Sequence, residues 1–173
     1  MKNIRPLKNS FFNRDTVTVA QELLGKYLVK YIDGTNISGM ITEVEVYDGL
    51  DDLASHASRG ETPRTRVMYG VAGHWYVYLC YGIHSMVNIV TREQGYPGAI
   101  LIRGTDVVSG PGRLTKYFRI DSNLNTKIAN KKTGLWIEDR GVVIDEKDIQ
   151  ISPRIGVDSA GPEWAGKHLR FFI

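Results

Sequence analysis

The first third of the chain changes from a helical to an alternating pattern of hydrophobic residues. Apolar residues at positions 17, 19, 20, 23 and 24 recur at helical spacing, with Asp15 before them as an N-cap and Gly25 after them as a stop. Residues 26–32 and 36–47 alternate apolar with polar, which is typical of half-buried strands. The Asp-Gly pair between them is a strong hairpin signal. This part of the sequence therefore predicts a short helix and a β-hairpin.

The remainder of the chain predicts more strands and only one further helix. Residues 48–66, rich in Asp, Ser, Gly, Pro and Arg, predict a long loop, and such loops are often functional. A helix is predicted to begin at Pro111 and to run to residue 118. Further strands are predicted at residues 75–80, 84–91, 99–104, 134–138 and 149–157.

Because the strands come in hairpins that few long helices separate, we expect an α+β fold. The expected architecture is a single compact domain over residues 1–173, with a mostly antiparallel curved β-sheet, a protruding β-hairpin and flanking short helices. A length of 173 residues is ample for one hydrophobic core. A content of 42% hydrophobic and 24% charged residues excludes long disordered and fibrous classes.

Charge and cysteine content narrow the possible partners and cofactors. The formal net charge of +3 permits a polyanionic partner without requiring one. Cys80 is the only cysteine, so no internal disulfide can form, and we expect an intracellular protein. No apolar run approaches membrane-spanning length, so no membrane partner is expected. Neither a ligand cluster nor a Gly-rich phosphate loop occurs, so we expect no metal and no organic cofactor.

The strand at residues 40–47 carries the first candidate chemistry. Alternate side chains of a strand share a face, so one face is largely apolar and the other carries Ile41, Glu43, Glu45 and Tyr47. An exposed polar face is the ordinary interpretation of such a pattern. The chemical interpretation is a general base beside an aromatic platform. Two neighbouring carboxylates also leave open a sugar hydrolase that uses Glu43 and Glu45 as acid and base.

The aromatic segment at residues 75–88 is the second candidate. Most of it suits a buried strand, but Tyr81 stands beside Gly82 at a hairpin tip, where a large side chain is hard to bury. An exposed aromatic on a stiff tip could act as a wedge between stacked bases. A loop at residues 82–84 would place Tyr78 opposite Asn88, and an aromatic beside an amide suits a flat heterocycle.

Two basic stretches complete the set of candidates. Arg59, Arg64 and Arg66 lie in one polar loop, and three lysines lie at positions 127, 131 and 132. Each stretch alone is most often a solvated surface. Together with a wedge they fit contacts to phosphates, which position a protein on DNA without reading its sequence.

Taken in order and spacing, these motifs resemble the alkyladenine (3-methyladenine) DNA glycosylase family over nearly the whole chain. The N-terminal half of the resemblance consists of L-L-G at 23–25, I-T-E-V-E-V-Y at 41–47, a segment ending at His56, S-R-G at 58–60 and T-P-R at 62–64 with Arg66. The C-terminal half consists of Y-V-Y at 76–78, Y-G at 81–82, M-V-N at 86–88, L-I-R at 101–103, S-G-P at 109–111 and R-I-G-V at 154–157.

The resemblance implies a catalytic pair. Glu45, rather than Glu43, matches the carboxylate that deprotonates a water near C1′ of a flipped nucleotide. Arg103 matches the arginine that helps to hold this water and the carboxylate.

The resemblance also implies a base pocket and a wedge. Tyr47, His56 and Tyr78 match the residues that enclose the extruded base, and the backbone N–H of His56 would donate to the purine. Asn88 matches the residue that crowds the 2-amino group of guanine and so disfavours normal guanine. Tyr81 matches the tyrosine that fills the gap left in the duplex.

The implied activity is a monofunctional N-glycosylase on double-stranded DNA that contains damaged purines. The expected substrates are 3-methyladenine and 7-methylguanine, with hypoxanthine and ethenoadenine as further candidates. No lysine lies in the matched motifs, so no lyase step is expected. We expect a monomer, cytoplasmic in a bacterium and nuclear in a eukaryote. The alternative is a non-catalytic nucleic-acid-binding module of the same fold, against which Glu45 and Arg103 argue.

Overall fold

The computed structural model describes residues 4–173. Its strands are β1 Arg5–Pro6, β2 Tyr27–Ile32, β3 Thr35–Asp48, β4 Trp75–Cys80, β5 His84–Val90, β6 Gly98–Thr105, β7 Val108–Ser109, β8 Leu135–Asp139, β9 Gln150–Ser152 and β10 Arg170–Phe172. Its α-helices are α1 Asn9–Phe12, α2 Thr16–Leu23, α3 Pro111–Tyr117 and α4 Gly161–Gly166. Within these residues no helix is both long and apolar enough to cross a membrane.

The strands form one open sheet in which every pairing is antiparallel. Its main path runs β1-β8-β2-β3-β6-β5-β4, and β7, β9 and β10 attach beside it. The long strand β3 is the centre, because it pairs with β2 over its first half, with β10 near its end, and with β6 on its other edge. The predicted α+β fold with a mostly antiparallel sheet is therefore confirmed.

Local signals explain the first helix and hairpin. Asp15 caps α2 by accepting a 2.9 Å hydrogen bond from the N–H of Thr18, and Gly25 follows the helix with a φ of +84°. Asp33 and Gly34 have φ values of 49° and 85°, as a type I′ turn between β2 and β3 requires. Both predicted elements are confirmed.

A β-bulge in β3 corrects the predicted face of one residue. The register between β3 and β6 shifts between Ile41 and Val44, so that the strict alternation of side chains is broken there. Ile41 is consequently buried in the same apolar cluster as Val44 and Val46, not on the face that carries Glu45. The predicted strand at residues 149–157 was also too long, because β9 ends before Pro153, which has no N–H to donate.

The hairpin between β4 and β5 differs from its predicted register by two residues. Tyr78 lies opposite Met86, and Asn88 lies opposite Tyr76. The reason is that Tyr81 and Gly82 form the turn, with φ values of 51° and 68°, instead of a loop at residues 82–84. A shift of two residues preserves the side-chain faces, so the aromatic and amide groups still share one face.

The main core and the site occupy opposite faces of the central strands. The main apolar cluster takes residues from β3, β5 and β6 and packs them against α2 and α3, for example Val46, Ile89, Ile102, Leu23 and Leu114. The opposite face of β4 to β6 is covered by the long loop after β3, which contains 3-10 turns at His56–Arg59 and Arg66–Tyr69. A second small cluster of Ala57, Met68, Tyr76, Val90 and Ala99 anchors this loop.

Candidate active site

A cavity of about 700 Å³ opens between the long loop, the β4–β5 hairpin and residues 155–159. It lies within the size range of small-molecule sites in proteins. Arg66 is the one predicted site residue outside its lining; this arginine is exposed and pairs with Glu61 at 3.2 Å. The structure brings the others together, and the predicted residues that line the cavity are Glu45, Tyr47, His56, Arg59, Arg64, Tyr78, Tyr81, Asn88 and Arg103.

Glu45 is a fully buried carboxylate, with 0% of its surface exposed. Its Oε1 accepts a 2.8 Å hydrogen bond from the N–H of Ile155, and its Oε2 accepts a 2.9 Å hydrogen bond from the hydroxyl of Tyr47. A carboxylate has about four acceptor positions, so these two donors leave capacity for a further proton donor such as a water.

Arginines surround Glu43 and Glu45 on β3. Nε of Arg103 donates to Oε1 of Glu43 at 3.0 Å, and its Nη1 lies 3.4 Å from Oε1 of Glu45. Nε of Arg170, from β10, donates to the same Oε1 of Glu43 at 2.6 Å. The ordinary interpretation of an exposed polar face was therefore wrong for this pair, because both carboxylates are enclosed and ion-paired.

The pKa of Glu45 is raised above its usual value. Burial is the largest cause, because it removes water from the charged form. The positive charge of Arg103 and the hydrogen bonds from Ile155 and Tyr47 oppose this rise in the pKa. The carboxylate is thus a stronger base than a solvated one, which suits the removal of a proton from water near neutral pH.

Three aromatic rings form one wall of the cavity. The rings of His56 and Tyr78 meet edge to face with centroids 4.6 Å apart, and Tyr76 lies 5.2 Å from Tyr78. Nδ1 of His56 and the hydroxyl of Tyr76 are 2.9 Å apart and share a hydrogen bond. This wall presents π-faces and edges to any flat group in the cavity.

The charge state of His56 follows from its surroundings. Desolvation lowers the pKa of its imidazole to about 4, and the positive charges of Arg64 and Arg59 act in the same direction. The imidazole is therefore neutral at physiological pH. Burial raises the pKa of Tyr47 and of Tyr78 above the usual value, so both phenols keep their protons.

The floor and the far wall of the cavity are held by buried polar contacts. Asn88 is 3% exposed, and its Nδ2 donates to the carbonyl of Tyr76 at 3.1 Å. The guanidinium of Arg154 lies 4.8 Å from the ring centroid of Tyr47 and is paired with Asp52 at 2.6 Å. Among residues 4–173, no group of three or more His, Cys, Asp and Glu side chains is arranged to hold a metal ion.

The rim of the cavity combines an exposed hairpin tip with positive charge. Tyr81 is 93% exposed, and Ile83 beside it is 74% exposed. The guanidinium of Arg64 lies 4.9 Å from the ring centroid of Tyr78, at the cavity wall. The predicted lysine stretch is elsewhere: Lys127 accepts a backbone hydrogen bond from Trp75, at the end of β4 remote from the tip.

Sequence reasoning missed several residues that build this site. Ile155 and Arg154 stand in the R-I-G-V motif, but no pattern indicated that a backbone N–H there would reach Glu45. Tyr76 could have been found, because it is two residues from Tyr78 on a strand and therefore shares its face. Arg170 had no local signal, since it meets Glu43 only through the pairing of β10 with β3.

Comparisons with known proteins agree with the predicted resemblance. The family model described as methylpurine-DNA glycosylase (MPG) matches residues 10–110 and 104–173. A relative from Legionella pneumophila (strain Corby), provisionally named a 3-methyladenine DNA glycosylase, is 44% identical and aligns over 98% of this chain and 95% of its own. Proteins with the same provisional name from Sodalis glossinidius and from Wolbachia sp. subsp. Brugia malayi are 43% and 44% identical, over 87% and 96% of this chain and 89% and 96% of theirs.

These matches cover nearly the whole chain, including the strand that carries Glu45 and the loop that carries His56. The predicted family is therefore confirmed. The chain belongs to the methylpurine-DNA glycosylase family, and it is a DNA glycosylase, a hydrolase whose substrate is DNA.

Proposed function

We propose that this protein flips alkylated or deaminated purines out of duplex DNA and hydrolyses their N-glycosidic bond, with Glu45 as the general base. Expected substrates are 3-methyladenine and 7-methylguanine, with hypoxanthine and ethenoadenine as further candidates. The observation that carries the proposal is the buried carboxylate of Glu45, paired with Arg103 and placed in an aromatic-walled cavity. The relatives' provisional name, 3-methyladenine DNA glycosylase, supports the same class of substrate.

The proposed step has a simple balance of atoms. Glu45 accepts a proton from water, the water oxygen forms a bond to C1′, and the electron pair of the N-glycosidic bond leaves with the purine. Such a reaction passes through an oxocarbenium-like transition state, which a nearby carboxylate also stabilises. Arg103 lies close enough to Glu45 to orient both the carboxylate and the water. A positioned general base supplies about 10²–10⁴-fold in rate.

The cavity wall suits a cationic purine. An N-alkylated purine carries positive charge, and π-faces such as that of Tyr78 attract a cation by roughly 0.5–2 kcal/mol. His56 is neutral because its pKa lies at about 4, so it adds no repulsive charge. Asn88 would crowd the 2-amino group of normal guanine. Flipping costs a few kcal/mol and least where damage has weakened pairing, which adds selectivity.

Contacts outside the cavity would hold the duplex. Tyr81 would fill the gap left by the flipped nucleotide, since it is exposed on the turn of the β4–β5 hairpin beside the cavity. Arg59, Arg64 and the more distant Arg66 would contact phosphates. A single flipped nucleotide needs no symmetric partner, so we propose a monomer. Among residues 4–173, none of those that line the cavity is a lysine, which supports hydrolysis without a lyase step.

Single-turnover base release tests this function. Duplexes that each carry one 3-methyladenine, 7-methylguanine, hypoxanthine or ethenoadenine are incubated with excess protein, and alkali then reveals abasic sites. We expect Glu45→Gln to bind lesion DNA but to release the base at least about 100-fold more slowly, because the general base is lost. The matched control is Glu22→Gln, which removes an exposed carboxylate on α2.

Two outcomes would contradict the proposal. Near-normal release by Glu45→Gln would exclude Glu45 as the general base. DNA binding by the native protein without release of any of the four bases would instead favour a non-catalytic binding module.

A further inference from the structure

We propose that Glu43 is a positioning residue for the glycosylase reaction: it holds Arg103 by its Nε edge and thereby prevents this arginine from closing fully onto Glu45. This inference rests on the proposed function, in which Glu45 is the general base. It assigns a specific role to Glu43, which neither binds the damaged base nor activates the water.

The geometry separates the two ends of Arg103. Its Nε donates to Oε1 of Glu43 at 3.0 Å, which is close to an ideal hydrogen bond. Its Nη1 stays 3.4 Å from Oε1 of Glu45, which is long for a charge-assisted hydrogen bond. Glu43 therefore binds this arginine more closely than Glu45 does, although both carboxylates lie on the same strand.

Glu43 is itself fixed from the other side. Its Oε1 also accepts from Nε of Arg170 at 2.6 Å, and Nη1 of Arg170 donates to Oγ of Ser152 at 3.0 Å. The chain that results, Ser152–Arg170–Glu43–Arg103, crosses from β9 through β10 and β3 to β6. Both arginine side chains in it are largely enclosed, at 11% and 20% exposure. Because Arg170 holds Glu43 in place, Glu43 cannot move with Arg103 towards Glu45, and it keeps Arg103 at its present distance.

This separation matters because full pairing would weaken the base. A close opposite charge lowers the pKa of a carboxyl group by about 1–3 units. A guanidinium that formed a bidentate ion pair with Glu45 would therefore make this carboxylate a weaker base and occupy its remaining acceptor positions. The observed arrangement keeps a positive charge near Glu45 while leaving its carboxylate available.

The other groups that face Glu45 are either neutral or, for the two further arginines, paired with other carboxylates. Tyr47 on its own strand donates to Oε2, Tyr78 approaches from β4, and the N–H of Ile155 donates from the segment after β9. Arg154 from that segment is paired with Asp52, and Arg170 from β10 is paired with Glu43. Arg103 from β6 is thus the cation whose orientation sets the charge balance at Glu45.

The pH dependence of release of 7-methylguanine from duplex DNA tests the proposal. This base is cationic while it is attached to the sugar and leaves as a neutral purine, so it needs no protonation. The acidic limb of the rate therefore reports the general base. We expect Glu43→Gln to move this limb to lower pH by about one unit, because Arg103 can close onto Glu45 and one negative charge is lost. We also expect the plateau rate to fall about tenfold, as a weaker base would give.

Arg170→Gln provides a second variant with the opposite expected sign. It leaves Glu43 charged and bound to Arg103 but removes a compensating positive charge, so the acidic limb should move to higher pH. Thermal unfolding of both variants and of Glu22→Gln is measured in parallel. The proposal is overturned if the acidic limb of Glu43→Gln stays at the native pH, or if it moves in the same direction in both variants. Glu43 would then have only a structural role.

The failure of this inference can be distinguished from that of the proposed function. If Glu45→Gln releases 7-methylguanine normally, or if the native protein does not release it, the proposed function fails. Glu45 is then not a general base, and the position of Arg103 beside it has no catalytic meaning. If Glu45→Gln is inactive but Glu43→Gln keeps the native pH profile, only the positioning role fails.

Discussion

The reactivity of Glu45 depends on opposing effects at a single carboxylate. Burial raises its pKa, while Arg103, the N–H of Ile155 and the hydroxyl of Tyr47 lower it. Each of these contacts can be changed separately, and each change has a definite sign. The pH profile of base release is therefore a more specific readout than the rate alone.

Tyr47→Phe should move the acidic limb of base release to higher pH. The substitution keeps the aromatic ring but removes the 2.9 Å hydrogen bond to Oε2 of Glu45 that stabilises the charged form. The pKa of Glu45 then rises, and the rate is lost at a higher pH as the solution is acidified. The measurement is release of 7-methylguanine between pH 4 and pH 8, with the exposed Tyr31→Phe as control. A shift to lower pH would contradict this account of Glu45.

His56 should titrate far below an ordinary histidine. Its pKa is lowered to about 4 by desolvation and by Arg64 and Arg59. Because this pKa is depressed in the folded state, the neutral ring supports stability above the unfolded value of about 6.5, and that support is lost as pH falls towards 4. An NMR titration measures the pKa, with His56→Gln to assign the signal. Arg64→Gln should raise the pKa of His56; a value of 6.5 or above in the native protein would contradict the prediction.

At the scale of elements, the features that were predicted correctly are those that a few neighbouring residues determine. The Asp33-Gly34 turn, the Asp15 cap and the alternation around Glu45 all act over a few residues, and the structure has all three. The bulge that buries Ile41 could not be predicted, because it depends on how β3 pairs with β6. The predicted register of the β4–β5 hairpin differed from the observed one by two residues, because the sequence analysis did not recognise a Tyr-Gly turn with positive φ at the tyrosine.

The exposed turn of the β4–β5 hairpin should act on DNA and contribute little to folding. Tyr81→Ala removes a side chain that is 93% exposed, so the melting temperature should be nearly unchanged. Release of a damaged base from a duplex should slow, because the wedge that fills the vacated position is lost. Release from a single strand, which has no stack to open, should slow much less.

The control for this variant lies beside the start of β4, at the end remote from the turn. Ile128 is 51% exposed and bridges to His74 before β4 begins, so Ile128→Ala removes exposed apolar surface away from the cavity. Equal slowing by both variants, or equal slowing on duplex and single strand, would exclude a wedge role for Tyr81.

At the scale of the whole molecule, the cavity is assembled from segments that are distant in sequence. Ile155 donates to Glu45 across 110 residues, and Arg154 reaches Asp52 across 102 residues. Such contacts leave no periodic signal, so sequence reasoning found the residues of β3 and of the hairpin but not the segment that closes the site. The family resemblance placed R-I-G-V among its motifs without indicating this contact.

The buried pair of Arg154 and Asp52 should hold this assembly together. Both side chains are fully enclosed, and Arg154 also donates to the carbonyl of Val46 at 2.8 Å, so the pair joins the C-terminal segment, the long loop and β3. Asp52→Ala leaves a buried positive charge without its partner, which typically costs about 3–5 kcal/mol of unfolding free energy. Glu22→Ala, in an exposed pair, should cost no more than about 1 kcal/mol. Urea unfolding measures both, and a loss below about 1 kcal/mol in Asp52→Ala would show that the segment is held in place by other contacts.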